Sequence, residues 1–207
     1  QELVLEDGSK VFLSSNARIS YPEKFAKDGR EVSLEGKAFF QIEKDQNRPF
    51  VITTSESKVK VLGTSFLVNA DMNSHETEVV VETGKVSVSD YNANNSVELL
   101  PGEATKVVGT NSNLLKFKNE NTNYLSWKSK ILNFENENLQ NVLRIIEDTY
   151  SIKIQASTKQ IQNCDLTATY TEQSVQSILE IVSQTFGLTS KKVDSDTYQL
   201  SGAGCSE

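Results

Sequence analysis

Between Gln1 and about Val108, apolar residues alternate with polar ones in short runs. Val11, Leu13, Ala17, Ile19 and Tyr21 hold one parity, and Val32, Leu34, Ala38, Phe40 and Ile42 hold the other. Successive side chains of a strand point to opposite faces, so this alternation predicts half-buried strands rather than helices. Turn chemistry falls between the runs. Asp7-Gly8 and Asp28-Gly29 can supply positive φ, Pro22, Pro49 and Pro101 remove a ladder donor at strand edges, and Asn92–Asn95 make a polar loop tip. Short strands at roughly ten-residue spacing predict an all-β domain over residues 1–118. A two-layer sandwich of jelly-roll type fits best, with a short β-solenoid as the alternative.

One stretch carries a parity break. In Val59–Val68 the apolar face passes from Val59 and Val61 to Phe66, Val68 and Ala70, changing side at Gly63. The figure recurs with Val79 and Val81, Gly84, then Val86 and Val88. A change of parity inside an extended run demands a bulge or turn, which glycine tolerates.

Lys116–Asn123 is polar and nearly free of apolar anchors, so it predicts a linker. Beyond it the period changes to that of helices. Leu139, Val142, Leu143, Ile146 and Tyr150 form one stripe, with Asn136 as its N-cap candidate. Val175, Ile178, Leu179, Val182 and Phe186 form a second, with Ser174 as N-cap and Gly187 as stop. Short strands are expected at 130–134, 152–155, 166–170, 188–193 and 197–200. The two halves superimpose at an offset of 36: Phe134 on Tyr170, Leu139 on Val175, Val142 on Ile178, Ile146 on Val182, Tyr150 on Phe186 and Ile152 on Leu188. Residues 124–202 therefore read as a duplicated β-α-β unit packing both helices against one small sheet, and the class as mainly β plus α+β. Tyr124-Leu-Ser-Trp127 opens this part, and Trp127 is expected at the domain junction.

Taken in order, several motifs resemble the periplasmic part of the FecR family of sigma-factor regulators. They are Leu5-Glu-Asp-Gly-Ser-Lys-Val11, Ile19-Ser-Tyr-Pro22, Arg30-Glu-Val-Ser-Leu-Glu-Gly36, Ala38-Phe-Phe-Gln-Ile42, Pro49-Phe50, Val61-Leu-Gly-Thr-Ser-Phe66 and Leu100-Pro-Gly-Glu103. Lys37 and Lys130 depart from that family's pattern. The C-terminal part resembles the secretin and TonB short N-terminal (STN) domain. The resemblance implies a periplasmic, signal-receiving region of an anti-sigma factor, anchored in the inner membrane by a helix upstream of this sequence. It also implies two protein partners: the N-terminal signalling domain of an outer-membrane TonB-dependent transducer, and a sigma factor bound through the upstream segment. Strand addition at an exposed sheet edge would be a physical route for the first contact, and Thr197, Tyr198, Gln199 and Leu200 are the candidate edge.

Composition narrows the alternatives. A net charge of −7 and a pI of about 4.9 argue against a nucleic-acid partner. No apolar run approaches the roughly 18 residues of a spanning helix, so the fragment itself reads as soluble. His75 is the lone histidine and reads as a solvated turn residue. No Cys-x-x-Cys, nucleophile elbow or phosphate loop accompanies it, so no metal, cofactor or catalytic residue is expected. Cys164 and Cys205 could form a bridge or remain a buried and a tail thiol. A second functional reading is a jelly-roll glycan-binding module that stacks sugars on Tyr21, Phe39 or Tyr91.

Overall fold

In the computed structural model, which describes residues 1–110, 114–157, 161 and 163–205, the alternating runs form strands. These are β1 (Glu2–Val4), β2 (Lys10–Leu13), β3 (Arg18–Ser20), β4 (Arg30–Gln41), β5 (Phe50–Thr53), β6 (Ser57–Val61), β7 (Ser65–Asp71), β8 (Glu76–Thr83), β9 (Val86–Asp90), β10 (Ser96–Leu99), β11 (Glu103–Val108) and β12 (Leu115–Lys118). All lie in the first of two compact units, Gln1–Glu120, the second being Asn121–Glu207. Strand β4 is shared by two ladders. Its first residues pair parallel with β5, and its last pair antiparallel with β7 and β2. One sheet continues from it as β5-β6-β9-β10 and the other as β7-β8-β11-β12. Inward residues of both merge in one core, which includes Phe50, Ile52, Val59 and Val88 from the first and Phe66, Val68, Val81 and Val107 from the second. Phe40, on the shared strand, stacks on Phe66 with centroids 5.4 Å apart. The unit is sheet-rich as the alternation predicts, and these ladders do not build a solenoid.

The two parity breaks are one joint made twice. At Gly63 the chain leaves β6 in one sheet and enters β7 in the other, and at Gly84 it returns from β8 to β9. Keeping apolar side chains inward on both sides of such a crossing requires the change of parity. A Cβ on Gly63 (φ 154°) would stand 2.7 Å from Lys44 Cα, and one on Gly84 (φ 80°) 2.9 Å from Thr64 Oγ1. The corners lie side by side, and Thr64 Oγ1 donates to the Lys85 carbonyl at 3.0 Å. Elsewhere two local readings change. Gly29 does not take the positive φ that Gly8 does. Residues 116–118 of the expected linker belong to β12, because their backbone extends the ladder of β11 whatever the side chains offer to a core.

Arg30 at the start of β4 is the largest fully buried side chain of the core. Its Nη1 donates to Asp7 Oδ2 at 2.6 Å and to the Glu43 carbonyl at 2.9 Å, and its Nε to the Arg48 carbonyl at 2.9 Å. The guanidinium carbon sits 5.5 Å from the Phe50 ring centroid. Asp7 is fixed in turn by the Ser9 N–H (3.1 Å) and hydroxyl (2.8 Å). Burial raises the Asp7 carboxyl, but the Arg30 and Ser9 hydrogen bonds outweigh it and hold its pKa below the ordinary value. The Asp-Gly-Ser turn and the distant arginine thus form one buried bracket across four segments.

The second unit contains α1 (Ser126–Ser129), β13 (Ile131–Asn138), α2 (Leu139–Tyr150), β14 (Lys153–Ala156), β15 (Asp165–Thr171), α3 (Val175–Thr185), β16 (Leu188–Lys192) and β17 (Thr197–Gly202). Both helical stripes are core: Leu139, Val142 and Ile146 meet Ile178, Leu179 and Val182 in one cluster. Ser174 caps α3 by accepting from the Ser177 N–H at 3.1 Å. The cap of α2 is Asn138, not Asn136, because β13 runs on to Asn138 through a bulge in which Asn136 takes positive φ.

The duplication is visible in the ladder. Leu132 pairs with Tyr170 and Phe134 with Ala168, while Asn133 pairs with Thr169, its own equivalent at the offset of 36. Such a register is self-complementary, as a twofold axis through Asn133 and Thr169 requires. The axis is broken by β17, which inserts between the equivalent strands β14 and β16, parallel to the first and antiparallel to the second. The expected single sheet is therefore two, β13-β15 and β14-β17-β16.

Cys164 and Cys205 form a disulfide, with Cα atoms 5.4 Å apart, that ties the start of β15 to the segment after β17. Closing a loop of 41 residues restricts the unfolded chain by about 4 kcal/mol at most, and measured effects run nearer 2–4. Cys205→Ser is expected to destabilise the second unit by about 2–4 kcal/mol in denaturant titration, and reduction of the native protein should reproduce that loss. Equal midpoints for native and reduced protein would show the bridge to be energetically idle.

Candidate protein-interaction site

Strand addition needs a sheet edge with unpaired backbone groups. Thr197–Leu200, the edge expected from the sequence, is not one. Thr197 pairs with Lys153 on one side, and Tyr198 pairs with Ile154 on one side and Lys192 on the other. Tyr198 and Leu200 are buried, Gln199 is exposed and Thr197 lies between. The cause is topological. The chain returns from β16 by a tight turn and slots its last strand into the gap beside β14, so the C-terminal strand is central.

The remaining edges differ in chemistry. On β14, the outward Ile154 N–H donates to Glu147 Oε1 at 2.6 Å, which closes that position. Strand β16 carries exposed Lys191 and Lys192, charges that discourage another strand from pairing. On β13, Ser129 Oγ accepts from the Ile131 N–H at 3.2 Å, and Asn123 engages the backbone of Asn133. Strand β15, with exposed Thr167, Thr169 and Thr171, has no comparable side-chain cap on those outward backbone groups among the described residues. Its signal in the sequence is a threonine at every second position, Thr167, Thr169 and Thr171, in an uncharged stretch.

Trp127 lies in α1, half-buried, with its indole N–H buried and lacking a partner among the described residues. The helix is held to α2 by a Ser126–Thr149 hydroxyl contact of 2.6 Å. Lys130 takes the left-handed backbone (φ 56°) that a glycine would adopt without strain. Its ammonium donates to the Thr149 carbonyl at 2.6 Å and stands 4.7 Å from the Tyr150 ring centroid, which favours a cation at a helix C-terminus. Burial lowers the Lys130 pKa.

The other chemical candidates separate. His75 is exposed, with Nδ1 3.2 Å from the buried Glu56 carboxylate. No group of three or more His, Cys, Asp or Glu able to hold a metal occurs among the described residues. Among the three proposed sugar platforms, Tyr21 and Tyr91 are exposed, but Phe39 is buried and offers no stacking face to a ligand. No helix among the described residues is long and apolar enough to cross a membrane.

Residues 1–87 match the family model described as FecR protein, and residues 131–200 match that described as FecR, C-terminal. Among solved structures, the chain is similar to a candidate anti-sigma factor from Parabacteroides distasonis ATCC 8503 solved at 1.65 Å. The identity is 28%, the TM-score 0.71, and the match covers 99% of this chain and 95% of that one. A second crystal structure from the same organism under the same description, at 2.50 Å, matches with the same identity and TM-score and covers 94% of that chain. No curated protein matches.

Proposed function

The chain belongs to the FecR family, the two family matches together spanning more than half of it, and on that premise we propose that it is the periplasmic signal-receiving region of an anti-sigma factor. In this reading the C-terminal unit is an STN-like domain that contacts the N-terminal signalling domain of an outer-membrane TonB-dependent transducer. The state of that contact is relayed, through a membrane-anchored segment upstream, to an extracytoplasmic-function sigma factor. The observation that carries the reading is the order of the two family matches along one chain, together with a structural likeness to a candidate anti-sigma factor that covers 99% of it. The self-complementary register of Leu132–Phe134 with Ala168–Tyr170 supports it, because a small duplicated βαβ module with one uncapped sheet edge suits docking to another protein better than holding a small molecule.

Titration calorimetry of this chain against the N-terminal signalling domain of a TonB-dependent transducer from the same organism tests the reading. Saturable one-to-one binding is expected. Absence of heat with that domain, together with an unchanged sigma-dependent reporter when the chain is deleted from its gene, would remove it.

A further inference from the structure

The sheet β13-β15 has two outer edges related by the duplication, and they are treated differently. On β13, the Asn123 side chain lies along the strand. Its Oδ1 accepts from the Asn133 N–H and its Nδ2 donates to the Asn133 carbonyl, both at 2.8 Å. A primary amide offers one donor and one acceptor side by side, as a peptide group does, so Asn123 caps Asn133 in the way a neighbouring strand would. The equivalent of Asn133 is Thr169.

Two hydrogen bonds fix which groups of β15 face outward. Asn133 turns its backbone away from β15 to meet Asn123, and Glu172 N–H donates across the ladder to the Lys130 carbonyl at 2.9 Å. In an antiparallel ladder inward and outward residues alternate. Ala168 and Tyr170 therefore direct their backbone groups to β13, while Thr167, Thr169 and Thr171 direct theirs away. The outward N–H and C=O of Thr169 and Thr171 meet no partner among the described residues. The strand contains no lysine, proline or glycine, and the register shift of this sheet lies between Phe134 and Glu137 of β13. Apart from the charge of Asp165 at its first residue, the usual devices that blunt an edge are absent from it.

We propose that the outer edge of β15 accepts an extended segment of a partner protein as a third strand, hydrogen-bonded at Thr169 and Thr171. This deepens the reading above and takes the partner's identity from it. Charge selects the kind of segment. Asp165 and Glu172, both exposed, bracket the uncharged Leu166–Thr171, so the complementary strand has an uncharged, β-branched centre with lysine or arginine at its ends. A second copy of this chain fits less well. Antiparallel pairing about Thr169 would set Glu172 of one copy opposite Leu166 of the other and beside that copy's Asp165, placing acids together at both ends of the ladder.

The test uses the whole chain and two ligands: the peptide acetyl-Lys-Thr-Val-Thr-Val-Thr-Lys-amide, with its two terminal lysine charges, as a partner-independent probe of the edge, and the transducer's signalling domain. Proline is tolerated in an edge strand where its missing N–H faces solvent, so Thr169→Pro removes the outward donor and leaves the inward ladder. Thr171→Pro serves the same purpose if that variant does not fold. The peptide is expected to shift the backbone amide resonances of Thr167–Thr171, and either proline variant to weaken both ligands by at least about tenfold. Peptide shifts located elsewhere overturn the proposal. Full signalling-domain affinity in both proline variants overturns it while leaving the functional reading intact. Peptide docking at β15 without any binding of the signalling domain supports the edge and, with an unchanged sigma-dependent reporter, removes the functional reading. A dimer of the native chain that Thr169→Pro dissolves overturns the choice of occupant in favour of a second copy.

Discussion

Tyr198→Pro is expected to unfold the C-terminal unit. Lys153 N–H donates to the Asp196 carbonyl and Ser157 N–H to the Leu200 carbonyl, so the parallel ladder turns the backbone of Tyr198 toward β14. Proline there orphans a carbonyl of β14 inside the sheet, at about 1–3 kcal/mol. Loss of the buried ring adds about 3–5 kcal/mol. The sum is comparable with the whole stability of a small domain. Hydrogen exchange by mass spectrometry on the intact chain should show protection lost across residues 131–202 and kept in the N-terminal sheets. Tyr198→Phe, which keeps the ring and the N–H, should stay within about 0.5 kcal/mol of the native protein. Native-like protection in the proline variant would mean that β17 is not the central strand.

Asp7→Asn is expected to have the second largest effect, here on the N-terminal unit. With side-chain exposures of 1% for Arg30 and 4% for Asp7, the pair is shielded from water, and neutralising the carboxylate leaves a guanidinium buried without its counter-charge. Removing one partner of such a pair costs about 3–5 kcal/mol, whereas replacing both by apolar residues of similar volume costs far less. Asp7→Leu combined with Arg30→Met should therefore melt above Asp7→Asn alone. The acid limb gives an independent check. Because the folded pKa of Asp7 is depressed, its contribution is fully present above the unfolded value of about 3.9 and is lost as pH falls through the lower folded value. Native protein should lose melting temperature steeply below about pH 4, and Asp7→Asn should show a shallower acid limb over the same range. Parallel limbs would assign the acid sensitivity to other carboxylates.

These two sites also mark what the sequence discloses and what it does not. The parity breaks at Gly63 and Gly84 are readable because alternation has a period of two, and a crossing between sheets must shift it. The offset of 36 between the C-terminal halves gives not only two equivalent βαβ units but, through Asn133 and Thr169, the register in which they pair. Spatial order is another matter. A terminal alternating run such as Thr197–Leu200 looks the same whether it closes a sheet from outside or enters its middle, because hydrogen-bond partners leave no mark on a strand's own residues. Arg30 gives no warning of its burial, since its partners come from Asp7, Glu43 and Arg48, far apart in the chain. Asn123 was hidden for a related reason, as a polar residue in a polar run whose side chain stands in for a strand.

The unequal treatment of the two twin edges limits how the module can assemble. With Asn123 and Ser129 seated on β13, the sheet β13-β15 can be extended on the β15 side only, so a complex docked there terminates after one addition. Freed of those caps, the sheet would be open on both sides, and head-to-tail growth into open fibres would compete with the defined complex. Two side-chain caps thereby separate a receptor from a polymerising unit.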